Sequence, residues 1–231
     1  MKTIALVPAY QAGRTVGRVV AALRDSWPES GQSVVVVDDG STDDTAPQAE
    51  AAGALVVRHG CNRGKGAALV SGLRRASQLG AEIAVSVDAD GQHLPGEAVR
   101  LARYAAPDEA LVLGTRDLGR AGAPRAHRLS NGISNIFLSW FTGVRLLDTQ
   151  CGLRRYPIAP TLALGVRDSG YAFEAEVLIR AARARWEIFQ VPIDVVYSAE
   201  SRAHSHFRVA RDPARIVGRV LYTMMTRRGS R

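Results

Sequence analysis

Residues 33–45 read SVVVVDDGSTDDT. Four valines in a row leave no polar face, so Ser33 to Val37 fit a strand whose run Val34 to Val37 is buried, as strands of a parallel sheet are. Gly40 suits a turn, Ser41 and Thr42 are N-cap residue types, and Asp43 and Asp44 are acids of the kind that favour a first helical turn, which predicts a helix from about Asp43 to Ala52. Strand, tight turn and helix recur outward from this stretch. On the N-terminal side, Ile4 to Pro8 precede a helical pattern around Thr15 to Arg24; on the C-terminal side, Ala54 to Arg58 precede one around Gly64 to Gln78. Ile83 to Val87, a helix around Gly96 to Tyr104, and Ala110 to Gly114 continue the alternation. Such an alternation predicts an α/β fold with a mostly parallel central sheet and helices on both faces.

Beyond Thr115 the rhythm breaks into a Gly, Arg and Pro-containing loop to Pro124. Ile133, Ile136, Phe137, Trp140, Phe141 and Val144 then recur at helical spacing, a helix follows around Ala172 to Ala184, and a strand near Ile188 to Val195. Asp212 and Pro213 have the N-cap and first-turn chemistry of a last helix. Without an internal repeat or low-complexity linker, residues 1–231 read as one domain with a nucleotide-binding half (1–115), an acceptor half (116–211) and a basic amphipathic C-terminal helix (212–231).

Composition excludes several classes. The 231 residues are 46% hydrophobic and 23% charged, which excludes a disordered or collagen-like chain. Cys61 and Cys151 are too few for a disulfide framework and have no zinc-site spacing. The N-terminus enters a strand directly without signal-peptide features, and the longest apolar candidate, Ile133 to Val144, contains Ser, Asn, Thr and Gly. The expectation is a cytoplasmic protein with no spanning helix. The formal net charge is +8, and residues 201–231 alone hold eight Arg and one Asp. A basic surface meets something anionic: nucleic acid, a phosphate-bearing substrate or an anionic membrane face.

In open α/β sheets ligands collect beyond the carboxyl ends of the strands. Those ends read Pro8-Ala9-Tyr10, Asp38-Asp39-Gly40-Ser41, Asp88-Ala89-Asp90-Gly91-Gln92-His93 and Gly114-Thr115-Arg116. Asp88 and Asp90, two residues apart, share a face if the extended geometry persists. Two adjacent carboxylates repel unless a proton or cation joins them, and an oxygen-rich site suits Mg²⁺ or Mn²⁺ bridging to a diphosphate. Asp-x-Asp-Gly alone is also ordinary turn chemistry; its position at a strand end beside a second Asp pair favours the ligand reading. One of Asp38 and Asp39 is expected to hydrogen-bond a base or ribose. Gly60-Cys61-Asn62-Arg63-Gly64-Lys65-Gly66 sits where a phosphate loop would, but it is one residue short of a Walker A motif and has Gly66 where Ser or Thr would be needed. Lys65 is either a nucleotide contact or a solvated helix start.

Together, VPAY at 7–10, VDDGSTDDT at 37–45, NRGKG at 62–66, DADGQH at 88–93, GTR at 114–116, DTQCGLR at 148–154, YAFEAEVLIRA at 171–181 and SHFR at 205–208 resemble the family 2 inverting glycosyltransferases, and among them the polyprenyl-phosphate (dolichyl-phosphate) mannose and glucose synthases. The resemblance covers about residues 3–212 with the motifs in the family's order. It implies a GT-A fold, a nucleotide-sugar donor and a divalent metal, Mg²⁺ or Mn²⁺. It further implies that Pro8, Tyr10 and Asp39 line the nucleotide pocket, and that Asp88, Ala89, Asp90 and Gln92 surround diphosphate and metal, with Asp90 and Gln92 as direct ligands. Arg116 and Arg202 would grip donor and acceptor phosphates. Two departures stand out: Ala12 replaces an acidic residue common in the family, and Ser205-His206 replaces Ser-Lys, so that a charge at His206 depends on pH.

A lipid-phosphate acceptor is already an anion and needs no general base, whereas a sugar hydroxyl needs one, for which Asp148 and Glu174 are the candidates. Arg125, His127 and Arg128 before an aromatic-bearing helix suit a membrane headgroup boundary, with Arg125, Arg128, His206 and Arg208 facing the acceptor. Ile133, Ile136 and Phe137 on their own fit a helix packed on the sheet. The expected partners are a nucleotide-sugar, a polyprenyl phosphate and an anionic membrane face. Nucleic acid is not expected, because Asp38, Asp39, Asp88 and Asp90 on the ligand edge would repel it; a nucleotidyltransferase is the nearer rival.

Overall fold

The computed structural model describes residues 1–27, 34–107, 109–168, 170 and 172–196. Seven strands form one sheet in the order β3-β2-β1-β4-β6-β5-β7. In chain order they are β1 (Thr3–Ala9), β2 (Val34–Asp38), β3 (Leu55–Arg58), β4 (Ile83–Ser86), β5 (Leu111–Arg116), β6 (Arg154–Pro157) and β7 (Ile188–Ile193). The α/β class is as the sequence predicts. β1, β2, β3 and β4 pair in parallel, and β5 pairs in parallel with β7. β6 runs antiparallel to both neighbours, β4 and β5, so all six other strands point the same way and bring their carboxyl ends to one edge.

The helices are α1 (Val16–Ser26), α2 (Thr45–Ala51), α3 (Lys65–Gln78), α4 (Pro95–Ala102), α5 (Arg125–Thr142), α6 (Ile158–Ala163) and α7 (Phe173–Arg183). They sort into two apolar layers. One face of the sheet packs Ile4, Leu6, Val35 and Leu111 against Leu69, Leu73, Leu138 and Leu178 from α3, α5 and α7. The other packs Val7, Val36, Val85 and Val112 against Val16, Val20, Leu23 and Leu101 from α1 and α4. Every residue of Val34 to Val37 is buried, which explains the unbroken valine run.

Three local expectations change. Leu153-Arg154-Arg155-Tyr156-Pro157 carries no apolar alternation, yet Arg154 to Pro157 form β6. Arg154 is fully buried because its guanidinium donates to the carbonyls of Cys151 (2.9 Å), Thr149 (2.6 Å) and Glu174 (3.1 Å). The acids and hydroxyls after Gly40 cap α2 only in part: its N-cap residue, Asp44, makes no side-chain cap, while Asp43 Oδ1 accepts the Thr45 N–H at 3.1 Å. Ser41 Oγ, Thr45 Oγ1 and Asp43 Oδ2 also accept the backbone N–H groups of Gln11, Ala12 and Gly13, at 2.9, 2.7 and 2.9 Å. They staple the loop after β1 to the start of α2. In α5, Ile133 and Ile136 face outward at 52% and 76% exposure, so neither packs on the sheet; Phe137 does. The expected helix from Asp212 lies outside the described residues.

Candidate active site

The strand edge assembles the site in layers. Pro8 is buried at the end of β1, and Tyr10, 37% exposed, follows it. Asp38 and Asp39 end β2 as buried side chains, and both are engaged by the chain itself. Asp38 Oδ1 accepts Ser41 N–H at 3.0 Å. Asp39 accepts the N–H groups of Arg63 (3.0 Å) and Gly64 (2.7 Å), and its Oδ1 lies 2.6 Å from His59 Nδ1, whose Nε2 is 2.9 Å from Ser71 Oγ. Asp39 thus shapes the loop that leads into α3. Gly40, at φ 75°, is required there because a Cβ would collide with the Cys61–Asn62 backbone.

That loop delivers Lys65 to the centre. Its Nζ lies 2.7 Å from Asp88 Oδ1 and 3.3 Å from Glu174 Oε1, with 17% of the side chain exposed, so it is not a solvated helix start. His93, buried, brings Nε2 to 3.4 Å from the other Asp88 oxygen. Burial works to raise the Asp88 carboxyl, but the Lys65 ammonium and His93 overcome it and hold the group well below the usual carboxylate range. Gly152 closes the cluster: a Cβ there would occupy the space of the Asp88 carboxylate.

Asp90 has the opposite environment. β4 ends at Ser86, and Gly91, at φ 74°, turns the chain, so extended geometry does not carry through to Asp90. Its Oδ1 accepts Gln92 N–H at 2.9 Å, and burial, then the neighbouring Asp88 charge, pushes its carboxyl up. The Lys65 ammonium pairs with one carboxylate of the two, and the other is left beside its neighbour's negative charge. No group of three or more His, Cys, Asp or Glu side chains among the described residues is placed to hold a metal ion. The donor set still fits Mg²⁺ or Mn²⁺: such an ion takes one or two carboxylates and completes its shell with substrate phosphates and water, and the under-neutralised Asp90 carboxylate, two residues before Gln92, offers that start.

Asp148 stands apart from its expectation as a base. It is 1% exposed and gripped in bidentate fashion by Arg116, Nε to Oδ2 at 2.7 Å and Nη2 to Oδ1 at 3.0 Å, while Oδ2 also accepts Arg116 N–H at 3.1 Å. A carboxylate so buried and so paired fixes Arg116 rather than taking a proton from an acceptor. Glu176 is likewise structural, accepting the N–H groups of Arg167 and Asp168 and pairing with Arg180. Burial pushes the Cys151 thiol up to about 12, which removes it as a nucleophile. Ala89 is buried between the two acids, and Arg125 and Arg128 are exposed at the start of α5. Arg202, His206 and Arg208 lie outside the described residues. His93, Gly152 and the His59–Ser71 contact are structural members of the site that the sequence did not assign, although His93 stood in plain view two residues beyond Gly91.

A family model described as glycosyl transferase family 2 matches residues 4–161. The chain belongs to glycosyl transferase family 2. Similar proteins include a UDP-N-acetylglucosamine–dolichyl-phosphate N-acetylglucosaminyltransferase of Methanococcus voltae, 29% identical over 86% of this chain and 87% of that one. An undecaprenyl-phosphate mannosyltransferase of Micrococcus luteus is 29% identical over 85% of this chain and 84% of that one. Among solved structures, glucosyl-3-phosphoglycerate synthase from Mycobacterium tuberculosis, in complex with Mg²⁺ and uridine diphosphate, has a TM-score of 0.72 at 21% identity, covering 95% of this chain and 78% of that one. Its fold and that of this glycosyltransferase are the same GT-A type.

Proposed function

We propose that this glycosyltransferase moves a hexose, with inversion, from a nucleotide-sugar of the GDP-mannose or UDP-glucose type to a polyprenyl phosphate presented at an anionic membrane face. The observation that carries the acceptor assignment is that both candidate bases lie against cations: Asp148 in the bidentate grip of Arg116, and Glu174 with its Oε1 3.3 Å from the Lys65 ammonium, an ion pair without a hydrogen bond. A hydroxyl acceptor needs a free base, while a phosphate monoester brings its own charge. The relatives named for dolichyl-phosphate and undecaprenyl-phosphate transfer support the same choice.

In this reading residues 1–115 bind the donor and 116–211 the acceptor. A phosphate oxygen of the acceptor forms a bond to the anomeric carbon as the bond from that carbon to the β-phosphate oxygen breaks, its electron pair leaving with the nucleoside diphosphate. Like charges at about 4 Å repel by about 4 kcal/mol per pair at an effective dielectric of about 20, so fixed positive charge is needed between the two phosphates. Arg116, immobilised by Asp148, offers its remaining guanidinium N–H groups to a phosphate without having to reorganise, while Asp148 offsets part of its charge. Asp90 and Gln92 would hold Mg²⁺ or Mn²⁺, which when bound neutralises charge on the departing diphosphate. Asp88, pinned by Lys65 and His93, sets the depth of that site, and Pro8 and Tyr10 border the base.

The deciding experiment incubates the enzyme with Mn²⁺, each labelled GDP- or UDP-hexose and a polyprenyl phosphate, and identifies both products. A glycosylated lipid phosphate together with free nucleoside diphosphate is expected. Release of a nucleoside monophosphate, or a product retaining the α-phosphate, would instead identify a nucleotidyltransferase or phosphosugar transferase.

A further inference from the structure

α5 buries Leu138 in the core, but its other buried positions are polar: Ser130, Asn131 and Ser134, of which Ser130 and Ser134 face the 146–150 loop, Ser130 Oγ accepting from Gln150 at 3.2 Å and Ser134 Oγ lying 2.8 Å from Thr149 Oγ1. Its outer face carries Leu129, Ile133, Ile136 and Trp140 at 68, 52, 76 and 80% exposure. The spacing i, i+4, i+7, i+11 makes one straight stripe of about 16 Å along the helix. Leu147, 53% exposed, follows in the next loop, so that five of the nine exposed large hydrophobic residues among those described gather here. Trp140 and Phe137 both stack edge-on against Phe141, at 4.9 and 4.7 Å between ring centres, which stiffens the aromatic end.

The charge around the stripe selects its occupant. From Leu118 to Leu147 the chain has Arg120, Arg125, Arg128 and Arg145 and not one Asp or Glu, and all four arginines are exposed. A second copy of the chain seated symmetrically on this stripe would bring the two arginine sets together. An anionic lipid surface takes both features at once, apolar side chains into the acyl boundary and arginines at the phosphates. We infer that α5 is the docking element by which this enzyme lies on an anionic bilayer, with Leu129, Ile133, Ile136 and Trp140 inserted and the helix axis in the plane of the membrane. This deepens the acceptor assignment and rests on it for its purpose. The loop following α5 carries Leu147 directly beside Asp148, the anchor of Arg116, so docking sets that guanidinium near the level where a lipid phosphate emerges.

The test floats the full chain with vesicles of phosphatidylglycerol or of phosphatidylcholine, as wild type and as the double variant Ile136→Ser/Trp140→Ser. Both substituted positions are solvent-facing, and a melting curve checks that the fold survives. Wild type is expected to float with phosphatidylglycerol and to float less in high salt, and a variant with Trp27 and Trp186 replaced by Phe to have its Trp140 fluorescence quenched by brominated lipid; the double variant should recover at least tenfold less protein in the floating fraction. Equal flotation of the two proteins, or none for wild type, overturns the docking role. So does Trp140 shielded from acrylamide without lipid, which would mean that other residues of the chain cover the stripe, or a lipid-free dimer that the double substitution dissolves. Transfer to a short-chain, water-soluble polyprenyl phosphate is run alongside and should be equal in both proteins. Docking without any such transfer breaks the acceptor assignment alone, and transfer without docking breaks this inference alone.

Discussion

Two acid–cation groups stand along the same sheet edge and differ in how far they are closed. Asp148 and Arg116 form a sealed pair, with none of the Asp148 side chain exposed and both oxygens used by one guanidinium. Asp88 is 28% exposed, shares Lys65 with Glu174, and neighbours an Asp90 that burial leaves short of positive charge. Arg offers a planar fork that completes one carboxylate, whereas the Lys ammonium is a point charge that can sit between two. The sealed pair is a fixture that holds a cation still; the open group is poised to admit another positive charge.

The largest effect should come from unsealing the fixture. Asp148→Ala strands Arg116 in a mostly buried position, and removal of one partner of a buried pair costs about 3–5 kcal/mol, which for a chain of this size lowers Tm by about 10 °C in calorimetry. Asp90→Asn tests the open group: transfer should fall about 100-fold or more in steady-state assays, as on loss of one electrostatic stabiliser, while Tm without ligands stays level or rises because an uncompensated buried charge is gone. A Tm drop like that of Asp148→Ala would erase the distinction. Lys65→Met should produce a split: donor KM up about tenfold, yet tighter Mn²⁺ binding by the nucleotide-free enzyme in electron paramagnetic resonance titrations, because Asp88 no longer has its internal cation.

The smallest effect is in pH, and its sign differs within the pair. Asp88 has a depressed carboxyl, so its contribution to stability is present above the ordinary value of 3.8 and is lost as pH falls below that value through its folded pKa. Asp90, pushed above 3.8, takes up its proton first on acidification, which relieves a destabilising charge but removes the proposed metal ligand. Mn²⁺ affinity should therefore decline at a higher pH than the onset of acid unfolding. Coincident midpoints for the two would contradict the separate environments.

The central parallel strands were legible because Val34 to Val37, Ile4 to Val7, Ile83 to Val85 and Leu111 to Leu113 are apolar throughout, a pattern that two-sided burial explains. β6 was illegible because its two arginines read as solvated, and nothing local shows that three carbonyls wait for Arg154. Helical periodicity located α5 and grouped Ile133 with Ile136, but periodicity defines a face without saying what it meets. In the site, strand ends and acid pairs pointed to Asp88 and Asp90. The sharing of Lys65 by Asp88 and Glu174, and the capture of Asp148 by Arg116, join distant stretches of chain, so no spacing rule contains them.

β6 has a further consequence, for the order in which the molecule is made. The block β3-β2-β1-β4 is complete once residue 86 has been synthesised, but β5 has no strand in that block to pair with. Only when residues 154–157 emerge does the sheet gain the piece that joins β4 to β5, so a nascent chain halted before Leu153 presents an unpaired β4 edge to whatever strand it meets. The edge that carries Asp38 and Asp39 is thus assembled early, while its alignment with Arg116 waits on a short arginine-rich strand that follows β5 in the chain.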